Sequence, residues 1–282
     1  MTIDARTKLY QEFQQAFNLG KIDPRIPSPE NNGNYDKSIS SLSEYIRGHV
    51  ESACLKELPY LIEKANLTPD ASILDYGCGW GRLAYASSNY LSSKGLYLGL
   101  DISKFAIDSL KAGYSSFPNF EFIFQDISTD ENYIYIQEGK SSKSQAKSSE
   151  PVLPIEYEGK FDVVFSHSVF THMWREGIQH VLKEQAKVLG SGGYGINTWL
   201  IVDEYAKYVM KCGLTDRALP FFVNGVFTYS QENPLLCTAY PISTIYEIYA
   251  AAGHQIIDIE FGSWAGRENG VTYQDVVISK PF

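Results

Sequence analysis

Three glycines at alternate positions follow a carboxylate in ILDYGCGWGRLA, residues 73–84, where Asp75 precedes Gly77, Gly79 and Gly81, Cys78 lies between the first two and Arg82 follows the third. The apolar residues ahead of the glycines read as a buried strand, and the run behind them as an amphipathic helix. Glycines directly after a strand let a ligand lie against the backbone, and the N-terminus of the next helix offers unpaired N–H groups to polar ligand atoms. Asp101 closes the next apolar run, about 20 residues further on, where a carboxylate can accept hydrogen bonds from both hydroxyls of a ribose. Asp126 closes a third run, where a carboxylate can accept an adenine amino group while Ile102 and Ile127 sandwich the ring. A dinucleotide loop would read G-x-G-x-x-G, its third glycine making room for a pyrophosphate. Here the spacing is G-x-G-x-G and Arg82 occupies that place, which suits a smaller nucleoside ligand.

A second candidate centre is SHSVFTHMW, residues 166–174, at the exit of a fourth apolar run. His167 and His172 are two of only five histidines in the chain. A neutral imidazole is a common base for removing the proton of a hydroxyl that attacks an electrophile. The reading here takes His172 as that base and His167 as its helper. The alternative is that each imidazole simply hydrogen-bonds a nearby carbonyl. Asp162 and Asp203 have no partner at metal-ligand spacing, so no metal site is expected.

The elements that must carry these residues begin at residue 71. SILDY, GLYLGLDI, FEFIFQDI, FDVVFSH and GGYGINTWLI read as strands, separated by the helical runs RLAYASSNYL, KFAIDSLKAGY and REGIQHVLKEQAKVL. Strands that are apolar on both faces and alternate with helices indicate a parallel sheet covered on both sides. ISTIYEIYAAAG reads as a helix ended by Gly253. HQIIDIEFG and YQDVVISK are then strands joined by SWAGRENGVT, which is too short for a helical crossover, so an antiparallel pair is expected. Ahead of residue 71, Lys8 to Phe17 and SISSLSEYIRGHVESACLKELPYLIEKA read as helical, with Pro59 expected to divide the latter run in two. Residues 1–70 are read as an N-terminal helical lid and 71–282 as the main domain. An insert at about 128–159 contains the Ser- and Lys-rich residues 137–151 and is expected to be partly mobile. A second insert at 211–239 is irregular but aromatic, and is expected to cover the acceptor.

Composition narrows the function. A formal charge of -9 with no long basic run argues against general nucleic-acid binding. Cys54, Cys78, Cys212 and Cys237 form no zinc spacing and no disulfide framework. With no apolar run of membrane-spanning length and no signal-peptide core, a cytoplasmic chain with a small-molecule partner and no membrane partner is expected. A homodimer is compatible with the sequence.

D-Y-G-C-G-W-G-R resembles motif I of class I S-adenosylmethionine-dependent methyltransferases. LGLDIS is similar to their acidic ribose-binding motif, FQDI to their adenine-contacting one, and LKEQAKVLGSGGYGI to their helix–turn–strand segment, with Gly190-Ser191 replacing the usual Lys or Arg and Pro. The resemblance implies an α/β, Rossmann-like, mostly parallel seven-stranded sheet of order 3-2-1-4-5-7-6, its last strand antiparallel, with helices on both faces. It implies S-adenosylmethionine as cofactor and S-adenosylhomocysteine as product. Asp75, Gly77, Cys78, Gly79, Gly81, Arg82, Asp101, Ile102, Asp126, Ile127, Ser166 and Arg47 are then the cofactor residues. S-V-F-T-H resembles a segment of methyltransferases acting on sugars and other secondary metabolites, and the C-terminal FGSWAGRENGVTYQDVVISK resembles the ending of bacterial glycan-associated ones. These point to O-methylation in natural product biosynthesis, with His172 and His167 catalytic and His49, Trp174, Trp199, Phe222, Trp264 and Arg267 at the acceptor. An N-methyltransferase of an amino sugar, amine or peptide is the alternative, although the Asn/Asp-Pro-Pro-Tyr signature of some amino-methylating families is missing. A noncatalytic adenosyl-binding scaffold is the alternative from another class.

Overall fold

Runs of Leu, Ile, Val and Phe bounded by turn residues form the strands of this computed structural model, which describes residues 49–50, 52–125, 153–215 and 217–282. Arg47, Asp126, Ile127, the Lys8–Phe17 run and the 137–151 loop lie outside the described residues. The chain divides into two compact units, residues 1–125 and 126–282.

In the first unit, β1 (Ser72–Tyr76), β2 (Leu96–Asp101) and β3 (Phe120–Phe124) pair in parallel, Leu74 opposite Leu98 and Leu100 opposite Ile123. Helices α1 (Leu58–Ala65), α2 (Arg82–Ser88) and α3 (Lys104–Gly113) flank these strands in sequence. Pro59 was expected to break the helix before β1, but the helix is continuous. A π-helical turn over Ala53–Glu57, closed by the Leu58 N–H on the Ala53 carbonyl, leads straight into α1, and Pro59 sits in its first turn, where a missing N–H costs little. Asn66, in the left-handed region, ends α1.

The second unit contains β4 (Phe161–Ser166), α4 (Arg175–Val188) and β5 (Leu189–Trp199), followed by β6 (Ile201–Val202), α5 (Glu204–Lys211), β7 (Phe221–Val223), β8 (Val226–Thr228), β9 (Thr238–Pro241), α6 (Ile242–Ala251), β10 (His254–Glu260) and β11 (Asp275–Pro281). β10 and β11 are antiparallel, as the short gap between them requires. The main sheet runs β10-β11-β5-β4-β1-β2-β3, the expected order with four small strands inserted before the last pair. Those four form a sheet of their own, β6-β9-β8-β7. The expectation of an irregular 211–239 segment is therefore corrected. Its short strands turn at Asn224-Gly225, both with positive φ, a two-residue hairpin signal whose strands are too brief to show a period-2 pattern. Leu200, Val202, Ala206, Val209, Leu219, Cys237, Ala239 and Trp264 pack into a second apolar core here.

Candidate cofactor and acceptor sites

The glycine loop folds back on the end of β2. The Gly77 and Cys78 N–H groups both donate to the Leu100 carbonyl at 2.8 Å. Gly79 has φ of 52°, and its N–H donates to Asp101 Oδ2 at 2.8 Å. A Cβ on Gly79 would meet nothing within 4 Å, so this stretch of backbone borders open space. Gly81 has φ of 78°, and a Cβ there would lie 2.3 Å from Leu110 Cδ2 of α3, so a larger residue would meet a left-handed backbone and have to displace the Leu110 side chain. The other Asp101 oxygen accepts from the Ser103 N–H at 2.8 Å, and Ser103 Oγ caps α3 by accepting from the Ala106 N–H. The sequence reading missed Ser103, although a serine just ahead of KFAIDSLKAG is a recognisable N-cap. Asp101 and Ile102 are both half-buried, so the carboxylate is held from two sides without being sealed off.

The other residues expected to bind the cofactor divide by burial. Cys78 is buried, and burial with two nearby carboxylates pushes its thiol pKa well up, away from thiolate chemistry. Asp75 is buried and accepts a 2.6 Å hydrogen bond from the Tyr97 hydroxyl. Desolvation raises its pKa to about 7, with the Tyr97 bond and Arg82 opposing the shift. Arg82, at the start of α2, has a guanidinium nitrogen 3.4 Å from the buried Glu57 carboxylate. His49 lies half-buried in the helical residues before the π turn.

An adenosyl group fits this cradle on three observations: open space over Gly79, a half-buried carboxylate at the end of β2, and a loop in which Arg82 stands where a pyrophosphate-binding loop has glycine. A methyltransferase-domain family profile matches residues 67–211, more than half of the chain. The chain belongs to this family. S-adenosylmethionine is the cofactor of this class I methyltransferase. Among solved structures, Streptomyces venezuelae DesVI is 14% identical, with 88% of this chain and 99% of that chain covered and a TM-score of 0.52, and it shares the fold. PH0226 from Pyrococcus horikoshii OT3 is 15% identical over 90% of this chain and 96% of that one, at a TM-score of 0.49. A SAM dependent methyltransferase from Aquifex aeolicus is also 15% identical, over 87% and 98%, at a TM-score of 0.49.

In the second unit of this methyltransferase, the residues after β4 are held by side chains. Ser168 takes φ of 59°, rare for a residue with a Cβ. Its N–H donates to Thr198 Oγ1 at 2.8 Å, Thr198 Oγ1 donates to Gln274 Oε1 at 2.6 Å, and Gln274 Nε2 donates to Ser168 Oγ at 2.9 Å. This three-residue ring fixes the turn that carries His167 and leads into the 3₁₀ turn Phe170–His172. His167 is half-buried, its ring 6.1 Å from that of Phe165. His172 Nδ1 lies 3.0 Å from the Leu235 carbonyl oxygen. Because a carbonyl only accepts, Nδ1 carries the proton and Nε2 the lone pair. Burial is the main cause that lowers the His172 pKa, and the Arg217 charge lowers it further while the Leu235 bond opposes.

Three residues expected at a ligand instead lie in the core. Ser166 is fully buried and donates to Asn197 Oδ1 at 2.7 Å, within a network that includes Gln185 and Tyr249. Trp199 is buried against Phe170, Tyr240 and Tyr249, with Nε1 donating to the Tyr249 hydroxyl at 3.1 Å. Trp264 is buried in the second core, with Nε1 donating to Asp275 Oδ2 at 2.6 Å. The expectation that these two indoles touch the acceptor is replaced by a packing role: their sequence surroundings carry turn and strand signals, which do not reveal the small sheet that covers them. Trp174 precedes α4 and is half-buried. Phe222 is exposed, its ring against Phe227. Arg267 lies between the Tyr205 and Phe261 rings and pairs with Asp203 at 2.7 Å, beside a surface pocket of about 580 Å³ also bordered by Glu260 and Val271. Among the described residues no group of His, Cys, Asp or Glu could hold a metal ion, and no helix is long and apolar enough to cross a membrane.

Proposed function

We propose that this methyltransferase acts on a hydroxyl of a small molecule, a sugar or a glycosylated natural product, with His172 as general base. The observation that carries the reading is the 3.0 Å contact of His172 Nδ1 with the Leu235 carbonyl oxygen. The Nδ1–H points to that carbonyl and burial favours the neutral ring, in which Nε2 carries the lone pair suited to accept a hydroxyl proton. S-adenosylmethionine supplies the activated methyl group. The tasks left to the protein are to align the acceptor oxygen, take its proton and exclude water. The ring of Ser168, Thr198 and Gln274 supports this by holding the turn ahead of His172 rigid. Exposed Tyr205, Phe222, Tyr229 and Tyr273 offer faces on which a sugar could stack.

A radiolabelled-methyl screen over sugars, phenols and amines identifies the acceptor class. With a hydroxyl acceptor, His172→Ala is expected to slow transfer by about 10²–10⁴-fold while leaving cofactor affinity intact. An unchanged rate removes His172 as base and favours an amine acceptor, which needs only to be bound unprotonated.

A further inference from the structure

Arg217 has an arrangement that the O-methylation reading does not use. Its Nε–H donates to the Tyr273 hydroxyl at 3.0 Å and one Nη1–H to the Cys237 sulfur at 3.2 Å. Neither acceptor is a carboxylate: one is a phenol hydroxyl and the other a thiol, whose pKa burial raises above its ordinary value even against the guanidinium. Among the described residues no carboxylate pairs with this guanidinium, and Nη2 has no acceptor. That is unusual in a chain of net charge -9, where the comparable Arg82, Arg175 and Arg267 each pair with a carboxylate.

The surroundings hold Arg217 in place. Its backbone N–H donates to Thr215 Oγ1, which in turn donates to the carbonyl of buried Trp264 at 2.7 Å. The guanidinium carbon lies 5.4 Å from the Tyr273 ring centroid, a cation–π arrangement that fixes its plane. Cys237, on the Nη1 side, is two residues beyond Leu235, whose carbonyl holds His172. The same charge acts on the His172 imidazole and on the exposed Tyr229 phenol. A half-buried cation, tethered at two nitrogens and rimmed by phenols, is therefore close enough to the proposed base to influence it.

We infer that Arg217 is an anion receptor within the acceptor site, its Nη2 edge taking a carboxylate or phosphate group on the same molecule whose hydroxyl is delivered to His172. This rests on the O-methylation reading and narrows its substrate class to anionic acceptors. A planar guanidinium presents parallel N–H groups to two oxygens of such a group, and that recognition is strongest where water is partly excluded. Tyr273 and Tyr229 supply phenol hydroxyls to the same group. No signal in ALPFF or LTDRA marks Arg217 from sequence, because its partners come from distant positions 237 and 273.

The test uses the full chain, loaded with S-adenosylhomocysteine and labelled with nitrogen-15. Inorganic phosphate and acetate are titrated separately at constant ionic strength, read on the amide resonances of Thr215, Cys237 and Tyr273. Saturable shifts are expected in the wild type, weakened about tenfold or more in Arg217→Gln and retained in part in Arg217→Lys, which keeps the charge. Saturation by phosphate but not acetate assigns a phosphate-bearing acceptor, and saturation by acetate a carboxylate-bearing one. Linear, non-saturating drift with both anions, or equal saturation in Arg217→Gln, overturns the inference. S-adenosylhomocysteine binding by each variant, measured by calorimetry, confirms that it is folded. Transfer by His172→Ala tests the base independently, so a His172-dependent enzyme without an anion site would remove only this inference.

Discussion

Asp101 and Asp275 use the same device in the two units, and they differ in how far it is closed. Each is a carboxylate at the end of a strand that ties neighbouring loops through N–H donors. Asp101 ends β2 and accepts from Gly79 and Ser103. Asp275 begins β11 and accepts from the Ile201 and Gly262 N–H groups at 2.6 and 2.7 Å and from Trp264 Nε1 at 2.6 Å. Asp275 is fully buried, its pKa raised to about 6 by desolvation against the pull of those donors and of Arg267. Asp101 stays half-buried beside open backbone. The lesson is that a carboxylate surrounded by donors is structural when sealed and available to a ligand when one side stays open, and sequence position at a strand end does not distinguish the two.

The largest effect should come from the sealed member. Asp275→Ala leaves three buried donors without their acceptor and should destabilise the protein by about 4 kcal/mol, as read from denaturant midpoints. A loss below about 1 kcal/mol would show that water replaces the carboxylate and that the contrast with Asp101 is not one of closure.

Asp75 sharpens the comparison, because it is buried like Asp275 yet, among the described residues, has a single donor, the Tyr97 hydroxyl. Desolvation raises its pKa in the folded protein to about 7, above the ordinary carboxylate value of 3.8. The folded state therefore binds the proton more tightly, so the stability held by the protonated group is fully present below about pH 4 and is lost as pH rises to about 7. Asp75→Asn is neutral throughout and should gain on the wild type across that window, by roughly 3–4 kcal/mol at pH 8. A difference that does not vary with pH between 4 and 8 would place the Asp75 proton elsewhere.

Gly81→Ala is expected to have a smaller effect than either carboxylate change. It meets both a left-handed backbone and Leu110, and should cost about 1–2 kcal/mol. The same change at Gly79, where nothing lies within 4 Å, should carry only the backbone part of that cost but should obstruct the cofactor. Equal cofactor affinity in Gly79→Ala and the wild type would mean that the ligand does not approach this backbone.

What could be read from the sequence follows from this division. The glycine loop, Asp101 and the alternation of strands with helices depend on local backbone demands and on the period of apolar residues, both written in consecutive positions, whereas the strand order was implied by the family resemblance. The antiparallel end of the sheet was legible for the same reason: ten residues between two strands leave no room for a crossover helix. The acceptor side was not legible in this way. Arg217 meets Cys237 and Tyr273, Ser168 meets Thr198 and Gln274, and His172 meets Leu235, all pairings that only tertiary folding brings about. Trp199, Trp264 and Ser166 illustrate the converse, since a residue type suited to ligand contact is equally suited to a core with a hydrogen-bond partner.

Calorimetry of S-adenosylhomocysteine and NAD binding to the wild type and to Asp101→Ala tests the central claim most directly. The wild type should bind S-adenosylhomocysteine in preference to NAD, and Asp101→Ala should lose about 1–3 kcal/mol of that binding, the scale of a lost charged hydrogen bond. Preferred NAD binding, or an unchanged affinity in the variant, would contradict the assignment of this loop and carboxylate as the adenosyl cradle.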